Sequence, residues 1–154
     1  MNLTASVEDN AVSVIESSLS KFGFYRRKLG RKAAEEMISR MNTKVTGMDQ
    51  IVGSLSGGNM QKVVLSKWLL NDPDIIIFDE PTRGIDVGAK YEIYELIINM
   101  AKQGRTIIVV SSEMPEILGI TNRIGVMSNG YLSGIVNTKE TNQEELLRLS
   151  AKYL

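Results

Sequence analysis

The chain contains no cysteine and no histidine. No Ser-His-Asp triad, no thiol nucleophile and none of the Cys/His sets of structural zinc sites can be built from it. With no disulfide framework, nothing points to secretion. An excess of either charge is missing too: 18 basic side chains balance 18 acidic ones. That argues against a surface adapted as a whole to nucleic acid or anionic membrane. Long apolar runs are also absent. Ile75-Ile76-Ile77-Phe78 and Ile107 to Val110 fall far short of the roughly 18 residues a spanning helix needs, and no apolar signal-peptide core opens the chain. These absences predict a cytoplasmic protein working with carboxylates, hydroxyls, lysines and backbone amides.

What is present suits one α/β domain: 154 residues, 43% of them apolar. Ser6-Val7-Glu8-Asp9 reads as a capping box, and Val12, Ile15 and Leu19 continue it as a helix of about three turns. Between Lys21 and Lys44 lie eight basic residues against Glu35 and Glu36. This stretch reads as a solvated helix face and a loop, or as a contact for a partner protein or nucleic acid; Phe22, Phe24 and Tyr25 are its only aromatics. A second helix is expected from about Gly30 to Met41, with Ala33, Ala34, Met37, Ile38 and Met41 inward. A third opens at Leu55-Ser56-Gly57-Gly58-Asn59, with Met60, Val63, Val64, Trp68 and Leu69 inward, and ends near Asn71 and Pro73. Ile75 to Phe78 and Thr106 to Val110 read as strands buried on both faces, joined through a helix from Val87 to Lys102. That order is a βαβ unit and implies a parallel sheet. After a short helix around Pro115 to Leu118, Asn129-Gly130 marks a hairpin between Arg123–Met127 and Tyr131–Val136. Thr141-x-x-Glu144 is expected to cap a last helix carrying Leu146, Leu147 and Leu149.

Two segments carry the chemistry. Ser56, Gly57, Gly58 and Asn59 stand at a helix start, where unpaired N–H groups and partial positive charge receive anions and glycines admit a phosphate close to the backbone. Alone, the same residues make an ordinary cap and tight turn. Asp79 and Glu80 follow a buried strand, where ligand sites collect in open α/β sheets. Asp79 suits Mg²⁺, directly or through water, and Glu80 suits polarisation of an attacking water. Alone, Asp-Glu-Pro is equally a polar strand end.

Together, Leu-Ser-Gly-Gly-Asn-x-Gln-Lys at 55–62, Asp-Glu-Pro-Thr-Arg-Gly-Ile-Asp-Val-Gly-Ala-Lys at 79–90 and Ser-Ser-Glu-Met-Pro-Glu at 111–116 resemble the nucleotide-binding subunits of ABC transporters. The set is similar to the second of two fused ATP-binding domains in bacterial importers of ribose, galactose or xylose type. The resemblance covers nearly the whole chain. It implies a P-loop NTPase-type fold, with a helical subdomain at residues 1–72 and the C-terminal part of the α/β core at 73–154. It further implies ATP and Mg²⁺ held between two head-to-tail domains. Ser56, Gly57 and Gly58, with Asn59 beside them, match the signature that meets the γ-phosphate of the opposite domain's ATP. Asp79 matches the magnesium aspartate and Glu80 the catalytic base. Asp86 matches the aspartate of the loop crossing the dimer interface, and it is also a natural N-cap for the Val87 helix.

Two departures qualify the resemblance. The chain has no Gly-x-x-x-x-Gly-Lys-Ser/Thr loop and no Gly-Lys dipeptide. It therefore resembles the latter part of a domain without its Walker A portion, as a cloned fragment or a shortened gene product. The missing loop makes most charged phosphate contacts, each worth roughly 1.5–3 kcal/mol. The chain alone is therefore expected neither to bind ATP tightly nor to hydrolyse it, and to self-associate through an exposed apolar edge or face of a two-stranded sheet. Ser112 stands where the family places a histidine at the γ-phosphate. A hydroxyl can bond a phosphate but cannot carry an imidazolium's charge, and Glu113 would repel it.

The expected role is the ATP-binding subunit of a sugar importer, peripheral on the inner face of the cell membrane. Its partners would be a second nucleotide-binding domain and transmembrane permease subunits. One rival is a fragment of a DNA-repair type ABC ATPase; no heptad coiled coil supports it, and no nucleic acid is expected. The other is a noncatalytic module that docks a membrane partner.

Overall fold

Side-chain caps at Ser6, Asp86 and Asn142 set the starts of three helices, and apolar stripes decide which faces turn inward. A computed structural model describes residues 1–21 and 24–153; Phe22, from the aromatic group in the basic stretch, lies outside them. Helix α1 spans Val7–Val12. Its capping box is reciprocal: the Ser6 hydroxyl accepts the Asp9 N–H at 3.0 Å, and the Asp9 carboxylate accepts the Ser6 N–H at 3.4 Å. The helix does not run on to Leu19 as its periodicity predicts; it stops, and a separate turn, α2, spans Glu16–Leu19. Serine hydroxyls compete for its carbonyls, Ser13 donating to the Asn10 C=O at 2.9 Å and Ser18 to the Ile15 C=O at 2.7 Å. Strands β1 (Ser20–Lys21) and β2 (Phe24–Tyr25) form a small antiparallel pair that the pattern does not announce.

Helix α3 covers Arg27–Arg40, starting earlier than expected but burying the expected Ala34, Met37 and Ile38, with Met41 just beyond its end. Arg31 on this helix ties three segments. It pairs with the buried Glu8 at 3.1 Å, with Glu35 at 3.3 Å and with Asp49 at 3.0 Å. Helix α4 spans Gly57–Leu69. Its buried face holds Gly58, Lys62, Val63, Leu65 and Ser66, so the expected inward stripe is partly wrong: Trp68 is 53% exposed. The side of α4 toward α1 and α3 is covered, whereas Val64, Trp68 and Leu69 line an apolar groove with Ile75 and Ile77.

Strands β3 (Ile75–Asp79) and β4 (Thr106–Val110) pair in parallel, from Ile75 opposite Thr106 to Asp79 opposite Val110. Helix α5 (Val87–Lys102) makes the crossover, so the expected βαβ unit is present, and Gly104 at φ 94° turns the chain after it. The strands are not buried on both faces as expected. Ile76 and Phe78 lie buried with Ile93, Ile97 and Met100 of α5, but Ile77 on the opposite face is 67% exposed, and Ile75, Ile108 and Val110 are exposed as well. Among the described residues no element covers that second face. Met37, Met41 and Leu65 join the buried side, so this core extends from the sheet into α3 and α4.

Helix α6 (Met114–Ile120) leads to the hairpin of β5 (Arg123–Ser128) and β6 (Tyr131–Asn137). Its turn has Asn129 at φ 45° and Gly130 at φ 83°, the backbone a two-residue hairpin demands. Helix α7 spans Gln143–Ser150. Its cap is Asn142, which accepts the Glu145 N–H at 3.0 Å, and not Thr141, whose hydroxyl donates to the Glu145 carboxylate at 2.7 Å. Leu146 packs on Ile124 and Val126, while Leu147 is exposed.

Candidate functional site

The chain leaves β3 by way of Asp79 and Glu80, and Glu80 adopts φ 47°. A left-handed backbone costs a non-glycine residue on the order of 1–3 kcal/mol, so it persists only where its surroundings hold it. Here the Glu80 N–H donates to the Val110 C=O at 2.8 Å, its own C=O accepts the Arg83 N–H at 3.2 Å, and its carboxylate Oε1 accepts the Ser112 N–H at 3.0 Å. The structure therefore joins two of the sequence-predicted residues, Glu80 and Ser112, through a backbone amide. Asp79 is exposed at the strand end, and its carboxylate makes no hydrogen bond or ion pair among the described residues.

Behind this corner lies a polar network the motifs do not announce. The Thr82 hydroxyl donates to Glu116 Oε1 at 2.8 Å, both side chains buried. Ser111 donates its hydroxyl to the other Glu116 oxygen and accepts the Glu113 N–H at 3.0 Å. Lys90 donates to both oxygens of Glu113, at 2.6 and 2.7 Å. The Glu113 carboxylate, through that hydrogen bond, holds the Lys90 ammonium above the ordinary lysine range. The only sequence signals for the network are Thr82 directly after Asp-Glu-Pro and Glu116 in the first turn of α6.

The second predicted segment opens α4. Ser56 occupies the N-cap position but its hydroxyl makes no bond to the helix backbone; that oxygen accepts the Asn59 side-chain amide at 2.9 Å. The Gly57, Gly58 and Asn59 N–H groups have no acceptor among the described residues, and Met60 is the first to bond back, to the Ser56 C=O at 2.9 Å. Asn59 has structural work as well, its side-chain oxygen accepting the Lys44 N–H at 2.9 Å. Gly58 has a packing reason to be glycine: a Cβ there would lie 2.6 Å from the Ala89 Cβ of α5. Gly57 has none, its nearest neighbour being Ile85 at 3.5 Å. The start of α4 thus abuts the start of α5, where Asp86 is the N-cap, accepting the Ala89 N–H at 2.9 Å. Among the described residues no hydrogen bond links Ser56–Asn59 to Asp79, Glu80 or Ser112. Lys62 is buried within α4, where it pairs with Glu92 and donates to the Asn42 C=O at 3.2 Å.

Chemically, the two segments offer an anion-binding helix start and a carboxylate corner. The donor set at the corner fits Mg²⁺. That ion usually takes one or two carboxylates, with phosphate and water oxygens completing its shell, and Asp79 has free oxygens. Among the described residues no group of three or more acidic side chains could hold a metal by itself.

Residues 2–83 match the family described as ABC transporter. The galactose/methyl galactoside import ATP-binding protein MglA of Treponema denticola is 61% identical over 149 residues. The proteins of that name from Treponema pallidum and Pasteurella multocida are 58% and 54% identical. Each alignment covers 97% of this chain but 30% of the relative, so the chain spans about three-tenths of the length of these relatives. In fold, a chain from an inward-facing ABC transporter of metal-chelate type superposes with TM-score 0.83 at 19% identity, over 97% of this chain and 59% of that one. An ATP-binding cassette of another ABC transporter gives 0.76 at 20% identity, over 94% and 62%.

Proposed function

We propose that this chain, which belongs to the ABC transporter family, forms part of the ATP-binding subunit of a sugar importer and contributes to two nucleotide sites at once. The observation that carries the reading is Glu80, held at the end of β3 by the Ser112 N–H at 3.0 Å with the free carboxylate of Asp79 beside it. The names of the relatives, galactose/methyl galactoside importers, support a monosaccharide as cargo.

At the chain's own site, Asp79 would hold Mg²⁺, whose charge neutralises phosphate oxygens when nucleotide is bound. Glu80 is the general base. Ser112 occupies one of its oxygens, and the other is left to take a proton from water. The signature segment serves the other site: Gly57, Gly58 and Asn59 direct unpaired N–H groups at the terminal phosphate of a nucleotide carried by a second domain. Asp86 lies on the same surface as the signature and would face the second domain. Residues 1–72 form the helical subdomain, which meets the permease at the inner face of the membrane. Among the described residues no helix is long and apolar enough to cross a membrane.

The test is Glu80→Gln in the full-length importer with its permease in liposomes. ATP hydrolysis is expected to fall at least 100-fold, the lower end of what a general base supplies. Unchanged hydrolysis and transport would favour a noncatalytic docking role instead.

A further inference from the structure

Glu116 is buried, yet its carboxylate serves neither its own helix nor a cation: no ion pair reaches it among the described residues. Its two oxygens instead go to two other segments. One takes the Thr82 hydroxyl, two residues beyond Glu80, and the other takes the Ser111 hydroxyl, one residue before Ser112. Those segments are the two that meet at Glu80, whose N–H is bonded to the Val110 C=O and whose carboxylate is bonded to the Ser112 N–H. A single carboxylate therefore clasps the loop that carries Glu80 to the loop that anchors it. Hydroxyl bonds to a carboxylate are short and directional, which suits them to fixing a register.

We propose that Glu116 is a positioning residue for Glu80, clamping the 80–82 and 110–112 segments so that the Ser112 amide stays on the Glu80 carboxylate. The catalytic consequence rests on the reading of Glu80 as general base; the clamp itself does not. Glutamine at 116 keeps one acceptor and adds a donor that either hydroxyl can accept, so it should preserve most of the clamp. Alanine releases both hydroxyls.

The test is amide hydrogen exchange by NMR on this chain, comparing Ser112 with hairpin amides such as Ile124 and Val126. Glu116→Ala is expected to speed exchange at Ser112 at least tenfold more than at the hairpin, and Glu116→Gln less than threefold. Ser111→Ala, which removes one leg of the clamp and leaves the carboxylate in place, is expected to give an intermediate rise, and it decides the matter if Glu116→Ala does not fold. In the full-length importer Glu116→Ala should lower kcat with KM for ATP unchanged, and Glu116→Gln should restore it. Equal acceleration at Ser112 and the hairpin, or no change at Ser112 in Ser111→Ala, would overturn the clamp. If Glu80→Gln leaves hydrolysis intact, the general-base reading fails, while the exchange data still decide the clamp.

Discussion

The helical region and the sheet of this chain finish their cores to different degrees. In the first, α1, α3 and α4 close around Val7, Ala11, Val12, Ala34, Ile38, Val52 and Val63, all buried. Arg31 then ties Glu8, Glu35 and Asp49 across the outside. In the second, β3 and β4 bury one face on α5 and leave Ile75, Ile77, Ile108 and Val110 open. An amphipathic helix carries its own instruction about which side is inward. A continuous aliphatic strand carries none, since it asks for cover on both faces and takes whatever layers the chain supplies.

The largest expected effect exploits that difference within one strand. Ile76→Ala should cost about 2–5 kcal/mol, the range for emptying a packed site. Ile77→Ala, next to it on the open face, should change stability by less than about 0.5 kcal/mol. Paired urea melts check this, and equal losses would mean that the open face is covered in solution. Light scattering sharpens the point: self-association is expected at working concentrations and should weaken in Ile77→Ser.

Next comes the junction of the two regions. Gly58→Ala places a methyl 2.6 Å from the Ala89 Cβ and should destabilise by about 1–3 kcal/mol. Gly57→Ala meets nothing closer than 3.5 Å. It should fold normally and yet lower ATP hydrolysis in the full-length importer by crowding the phosphate. Thermal melts beside ATPase assays separate the two glycines.

A smaller effect is expected at the caps. Asp86→Ala removes the acceptor of the Ala89 N–H and should cost about 1 kcal/mol, readable as a shift in the urea midpoint. The smallest effect lies on the outer surface of the helical region. The Arg31 hydrogen bond, reinforced by its charge, holds the Asp49 carboxyl below the ordinary aspartate range. A carboxyl with a lowered folded pKa contributes stability above its unfolded pKa of about 3.9, and that contribution is lost as pH falls through the lower folded value. Carboxyl NMR should show Asp49 titrating late on acidification, and Arg31→Gln should return it to the ordinary range.

Legibility in the sequence followed how local each instruction was. Ser6 and Asp9, the Asn129-Gly130 turn, the α5 boundaries and the Asp86 cap each rest on residues within a turn of one another, and each appears where expected. Trp68 reads as inward because the stripe of α4 is wide, but it is exposed because no element among the described residues lies over it. At the corner, Asp79 and Glu80 were readable because they end a strand. The Thr82–Glu116–Ser111 network was not, because Thr82 and Glu116 stand 34 residues apart and no spacing encodes their meeting. Lys62 was hidden in the same way, since its partner Glu92 sits on α5.

The chain joins a helix start at Ser56–Asn59 to a carboxylate corner at Asp79 and Glu80, and its sequence holds no Gly-x-x-x-x-Gly-Lys-Ser/Thr phosphate loop. In a calorimetric titration of the chain with Mg-ATP, no saturable binding is expected below about 1 mM, since the charged contacts that supply most of the affinity are missing from the sequence; a micromolar Kd would overturn this.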